Sequence, residues 1–136
     1  MKKKLFLCVA MLLLCFAGMA HVSENLLPKP QQIITLNGSF QVGKITLTTP
    51  VLQAEWEEFI TQAGGAIVDK SSRSIVVKLV PEVQGAKMNQ EEAYRLKVSS
   101  KGIEVEATTQ KGVYWALQTL RQLERKGKRS SFQGCE

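Results

Sequence analysis

Histidine occurs once, at His21, and cysteine three times, at Cys8, Cys15 and Cys135. That scarcity excludes a metal centre built from clustered His and Cys side chains. No Walker-type glycine loop and no Gly-x-Ser-x-Gly elbow occurs. Gly64-Gly65-Ala66 follows an expected helix instead of opening one, so it makes a poor phosphate cradle. Aromatic and basic residues do not interleave, as a single-strand nucleic-acid platform requires. The apolar run from Leu5 to Phe16 falls short of the ~20 residues that cross a bilayer. There is no internal repeat and no long low-complexity tract. A chain of 136 residues has room for one ordinary domain.

The first twenty residues do not belong to that domain. Lys2, Lys3 and Lys4 precede the apolar run, and Ala17-Gly18-Met19-Ala20 supplies small residues for a peptidase. This is the pattern of a cleavable signal peptide over 1–20 and implies an exported protein: periplasmic, cell-surface or secreted. Cys15 follows Leu12-Leu13-Leu14, whereas a lipobox wants a small residue before the cysteine, so lipidation there is not expected. His21 stands at the new N-terminus, a poor place for a metal ligand. Only Cys135 remains after cleavage, which leaves no internal disulfide framework.

Removing the three signal lysines lowers the whole-chain excess of 18 basic over 12 acidic residues. Five of the remaining basic residues lie between Arg121 and Arg129, and residues 21–120 are balanced. The high isoelectric point therefore belongs to the signal and the tail, not to a nucleic-acid-binding face.

Hydrophobic periodicity orders the domain as β-β-α-β-β-β-α. Ile33 to Leu36 and Ser39 to Val42 read as strand pieces around a turn at Asn37-Gly38, and Ile45 to Thr49 as a half-buried strand. Pro50 marks a helix start. Leu52, Trp56, Phe59, Ile60 and Ala63 share one helical stripe, while Glu55, Glu57, Glu58 and Gln62 lie outside it. Gly64-Gly65 closes that helix. Ile75 to Val80 reads as a central strand covered on both faces.

In Tyr94–Val98 and Ile103–Ala107, apolar residues alternate with Arg95 and Lys97, then with Glu104 and Glu106. One antiparallel register, with Val98 opposite Ile103, buries every apolar residue and sets each cation opposite a carboxylate. Thr108 or Thr109 can cap a second helix running to Leu123. Val113, Ala116, Leu117, Leu120 and Leu123 form its stripe, with Trp115 on the far side. Residues 124–136 are polar and basic, the composition of a linker or tail. The expected fold class is α+β, with two helices on one face of a mostly antiparallel or mixed sheet.

Carboxylate pairs could perform glycosidic chemistry, but Glu57-Glu58 and Glu91-Glu92 fall on solvated surfaces. Glu104 and Glu106 face cations, the opposite of what a general acid needs. Cys135 has no neighbour but the basic tail to activate it. No catalytic, cofactor-binding or metal-binding residue emerges, and the physical reading is a small exported module without an active site.

Three segments carry a resemblance. Leu26-Leu27-Pro28-Lys29-Pro30-Gln31-Gln32 with Gly38-Ser39-Phe40 resembles the opening of an exported glycosidase accessory domain. Glu92 to Val98 with Gly102 to Val105 resembles its E-x-Y-x-L hairpin. Gly112-Val113-Tyr114-Trp115 through Thr119-Leu120-Arg121-Gln122-Leu123 resembles its closing helix. The family is glycoside hydrolase family 20, the β-N-acetylhexosaminidases, and the likeness spans residues 26–123.

The resemblance implies an N-terminal, non-catalytic domain preceding a (β/α)8 barrel. In that barrel an adjacent Asp-Glu pair works with the substrate's own N-acetyl group as nucleophile. No catalytic residue carries over onto this sequence, which stops near where the linker into the barrel is expected. The domain assignments are therefore 1–20 signal, 21–123 accessory domain and 124–136 linker toward the barrel.

Tyr114 and Trp115 are the expected docking residues. The barrel of the same polypeptide is the expected partner, with glycan reached only through it. No cofactor, nucleic acid or membrane is expected after signal cleavage. Two rivals stand beside this: the equivalent domain of another glycosidase family, such as the α-glucuronidases or O-GlcNAc-type hydrolases, and a free-standing glycan-binding module using Trp115 and Tyr114.

Overall fold

The computed structural model describes residues 26–27 and 29–136. The expected signal peptide over 1–20, Cys15 and His21 lie outside the described residues. Within them the order is β1 (Thr35–Gln41), β2 (Lys44–Thr48), α1 (Gln53–Gln62), β3 (Ala66–Ile67) and β4 (Ser74–Leu79). Then follow β5 (Tyr94–Ser99), β6 (Gly102–Ala107), α2 (Gln110–Leu123) and β7 (Ser131–Cys135). The strands form one mixed sheet in the order β1-β7-β5-β6-β4-β2-β3. Pairing is antiparallel from β1 to β6 and parallel from β6 to β3. Joining β2 to its parallel neighbour β4 needs a crossover, and α1 provides it.

Both helices press on one face of the sheet and share a single core with it. Trp56, Phe59, Ile60 and Ala63 are buried on α1 as their spacing predicts, and Glu55, Glu57, Glu58 and Gln62 are exposed. Gly64 ends α1 at a φ of 82°, a conformation that favours glycine. The start lies later than Pro50: Leu52 is the N-cap residue, in left-handed geometry.

The β5–β6 hairpin has the register expected from its pattern, with Val98 opposite Ile103, Lys97 opposite Glu104 and Arg95 opposite Glu106. The guanidinium of Arg95 nonetheless makes its ion pair with Glu136, just past the end of the neighbouring strand β7, instead of with Glu106. β4 is covered on one face only. Ile75 and Val77 are buried under the helices, whereas Val76 and Lys78 point to the other side, where no element among the described residues lies, and are half-buried and exposed.

Two further expectations give way. The supposed turn at Asn37-Gly38 is an irregularity inside one strand, where the pairing shifts between Thr35 opposite Cys135 and Ser39 opposite Gln133. Gly38 takes a φ of 89°, and the amide of Gln133 donates to the carbonyls of Leu36 and Gly38 at 3.3 and 3.2 Å. A β-carbon on Gly134 would stand 3.0 to 3.2 Å from three carbonyl oxygens of this bulge. The bulge thus closes over a residue that must stay small.

The second correction concerns the tail. Residues 131–135 are not a solvated linker but β7, inserted between β1 and β5, with Phe132 fully buried. Phe132 packs against Phe59 at 5.8 Å between ring centroids. Polar, basic composition holds only for the connection from Glu124 to Arg129. That connection is pinned over the end of α1 by a hydrogen bond from the Ser130 amide to the Ala63 carbonyl, 3.0 Å.

Candidate docking surface

The helix α2 begins at Thr109, whose hydroxyl accepts a hydrogen bond from the Gly112 amide at 3.4 Å. Val113, Ala116, Leu117 and Leu120 turn toward the sheet and are buried. Gly112 lies where the helix crosses the entry to β5. A β-carbon there would fall 2.4 Å from the Ala93 carbonyl oxygen and 2.9 Å from Cβ of Ala107. The glycine therefore sets how closely α2 can seat, and so fixes which residues point outward.

Outward of that stripe, Tyr114 is 45% exposed and Trp115 is half-buried, their rings in edge contact at 5.4 Å. Trp115, Gln118 and Gln122 follow at i, i+3 and i+7 on one face. Gln122 reaches the lead-in segment: its amide oxygen accepts from the Leu27 N–H at 2.9 Å and its amide nitrogen donates to the Leu27 carbonyl at 2.6 Å. Leu26 is buried by this strap, while Leu27 stays 74% exposed. One turn earlier, Thr119 is buried and shares a 2.6 Å hydrogen bond with the Tyr94 hydroxyl.

The result is a strip bearing two aromatic rings, a leucine and side-chain amides. α1 presents the opposite chemistry. Its outer face carries Glu57 and Glu58, each accepting from a glutamine one turn away, Gln53 at 2.7 Å and Gln62 at 2.9 Å.

The carboxylates considered for catalysis are not brought together. Glu57 and Glu58 lie on α1, Glu91 and Glu92 precede β5, and Glu104 and Glu106 stand on the open face of the sheet. Glu92 bonds to Lys111, which holds its carboxyl below the ordinary glutamate value, with Asn89 assisting at 2.8 Å. That is the direction of a structural carboxylate, not of a general acid.

A cavity of about 620 Å³ runs between the lead-in, the 83–92 loop and β5. Leu26, Val83 and Leu96 line it, and its rim charges Glu92 and Arg95 are already engaged with Lys111 and Glu136. Cys135 is buried, and burial pushes its thiol up, away from the reactive thiolate. No group of three metal-ligating side chains occurs among the described residues, and no helix there is long and apolar enough to cross a membrane.

The role of Leu27 was not legible in the sequence, because the bonds that hold it link residues 95 apart. A turn-rich Leu-Leu-Pro-Lys-Pro run shows only that the chain is extended there.

The fold is thus a mixed sheet with two helices on one side, the second of which bears an aromatic pair on its outer face. The model of glycosyl hydrolase family 20, domain 2, matches residues 23–136, and the chain belongs to that family.

Among solved structures, the chain is 27% identical to the family 20 exo-β-N-acetylglucosaminidase of Vibrio harveyi in complex with N-acetylglucosamine. That likeness has a TM-score of 0.63 and covers 88% of this chain and 19% of that one. The β-N-acetylhexosaminidase of Bacteroides fragilis NCTC 9343 is 19% identical, with a TM-score of 0.56 over 83% of this chain and 24% of that one. CpGH84B shares the fold at 14% identity, with a TM-score of 0.64 over 85% of this chain and 22% of that one. This chain thus spans about a fifth to a quarter of the length of these structures. A comparison with curated proteins finds no match.

Proposed function

We propose that this domain is the structural support of an exported β-N-acetylhexosaminidase, seated against the enzyme's catalytic barrel through the outer face of α2. The observation that carries this reading is a helix apolar on two sides. One side is buried on its own sheet, and the other shows Tyr114 and Trp115, with exposed Leu27 held two turns further on at Gln122. A helix of that kind is usually sandwiched, since exposed aromatic pairs stabilise nothing in water. Hydrolysis of terminal N-acetylhexosamine belongs, on this reading, to the barrel, with its Asp-Glu pair. The domain's part is to cover the barrel's outer surface and hold it in shape.

The fold is shared with CpGH84B at 14% identity, so the fold alone does not choose the chemistry of the partner, and it is the family match that favours hexosaminidase. Reading the source DNA past the codon for Glu136 tests the proposal. A continuation encoding a barrel with an adjacent Asp-Glu pair supports it. A stop with no barrel encoded nearby overturns it in favour of a free module that binds glycan through Trp115.

A further inference from the structure

Gly43 sits in the β1–β2 turn, buried and without a side chain, and two arginines from distant parts of the chain converge on it. A β-carbon placed on Gly43 would lie 3.6 Å from Nη1 of Arg73 and 3.7 Å from Nη1 of Arg129. The two nitrogens are therefore no further apart than the sum of those distances. Neither guanidinium makes an ion pair with a described residue.

Both are held in place. Arg73 Nη1 donates to the Gln41 carbonyl at 2.9 Å, and the Arg73 carbonyl accepts from the Thr46 amide at 3.1 Å. Arg129 is carried by the connection pinned to α1. The Ser130 carbonyl accepts from the Val42 amide at 3.0 Å, and Cα of Arg129 lies against Gly64. The negative end of α1 accounts for a cation near Gly64. It does not account for Arg73 meeting Arg129 over a glycine. Like charges repel at this range, and the arrangement becomes favourable when an anion lies between them.

We propose that Arg73 and Arg129 form an oxyanion site over Gly43 that takes an acidic group of a glycan, a sulfate ester or a uronate carboxylate. The planar forks of two arginines suit a group that offers several oxygens. The segments that carry the two arginines, residues 68–79 and 124–131, contain no aromatic residue to stack a base, which disfavours nucleic acid. The choice of a glycan rests on the reading of this domain as part of a glycosidase. On that reading the domain adds contact to acidic, N-acetylated polymers outside the catalytic cleft.

The test is a titration of the full chain with a heparin-derived sulfated tetrasaccharide, with a neutral N-acetylglucosamine tetramer and inorganic phosphate as separate arms. Arg73→Met and Arg129→Met are each expected to weaken tetrasaccharide binding about tenfold or more, as loss of a charge-assisted bond does. Lys87→Met, which removes the same charge from the 83–92 loop, is expected to stay within about twofold. Arg129 is exposed, so its variant keeps the fold even if Arg73→Met weakens the turn.

No tetrasaccharide binding, equal weakening by all three substitutions, or phosphate bound as tightly as the tetrasaccharide would overturn the site. None of these results bears on whether a barrel follows Glu136, so failure here leaves the reading of the domain's main role standing.

Discussion

Replacing Phe132 by alanine removes a ring that is completely buried between the sheet and α1. The ring touches Phe59 at 5.8 Å, and Phe59 meets Trp56 edge-on at 5.9 Å, so the cavity would open at the centre of an aromatic cluster. Truncations of this kind cost about 3–5 kcal/mol, the transfer of the ring plus the cavity left behind. A domain of this size has about 5–15 kcal/mol in total, so roughly a fifth or more of its stability would go. With a urea dependence of about 1.5 kcal/mol per molar, the unfolding midpoint should fall by roughly 2–3 M. Urea unfolding followed by circular dichroism reads this directly. If residues 131–135 were a solvated linker, the change would stay within about 0.5 kcal/mol, and the placement of β7 in the sheet would be refuted.

Four further outcomes are expected. Gly134→Ala sets a methyl 3.0 to 3.2 Å from three carbonyl oxygens and should cost about 1–3 kcal/mol in the same assay. With Cys8 and Cys15 replaced by serine, Cys135 should resist alkylation at pH 8 until urea unfolds the chain, since burial raises its thiol pKa; rapid labelling of the folded protein would contradict this.

The carboxyls of Glu92 and Glu136 are lowered by hydrogen bonds from Lys111 and Arg95, so their stabilising effect is present above the ordinary glutamate pKa and is lost as pH falls through the lowered values. Thermal midpoints should then be level from pH 6 to 8 and drop below about pH 4, with Glu92→Gln shrinking the drop. Trp115→Ala should cost this chain at most about 1 kcal/mol in urea unfolding, against about 3–5 for Trp56→Ala, because Trp115 is only half-buried while Trp56 is fully enclosed.

What the sequence showed and what it hid divide along a physical line. The stripes of α1 and α2 and the register of β5 against β6 are local patterns, repeated every few residues, and the structure has them where the periodicity sets them. β7 was hidden because Ser131 to Cys135 has a single large apolar residue, Phe132, and Gly134 breaks the alternation. The strand owes its place to partners on β1 and β5 about 95 and 40 residues away. The bulge at Gly38 reads locally as a turn, and only the strand on its other side makes it one irregular strand.

The aromatic strip was half legible. Trp115 stands off the buried stripe by angle alone, but the strap from Leu27 to Gln122 joins the two ends of the domain and leaves no mark in either segment. The convergence of Arg73 and Arg129 is likewise tertiary, since neither lies in a pattern that names the other.

The central claim, that the outer face of α2 seats on a catalytic barrel, is tested most directly by hydroxyl-radical footprinting of Tyr114 and Trp115. The two states to compare are this chain alone and the chain in one polypeptide with the barrel. Both residues should oxidise readily in the chain alone, as their exposure dictates, and should be strongly protected when the barrel is present. Equal oxidation of Tyr114 and Trp115 in the two states would show that the barrel does not cover this face, and the docking account would fall.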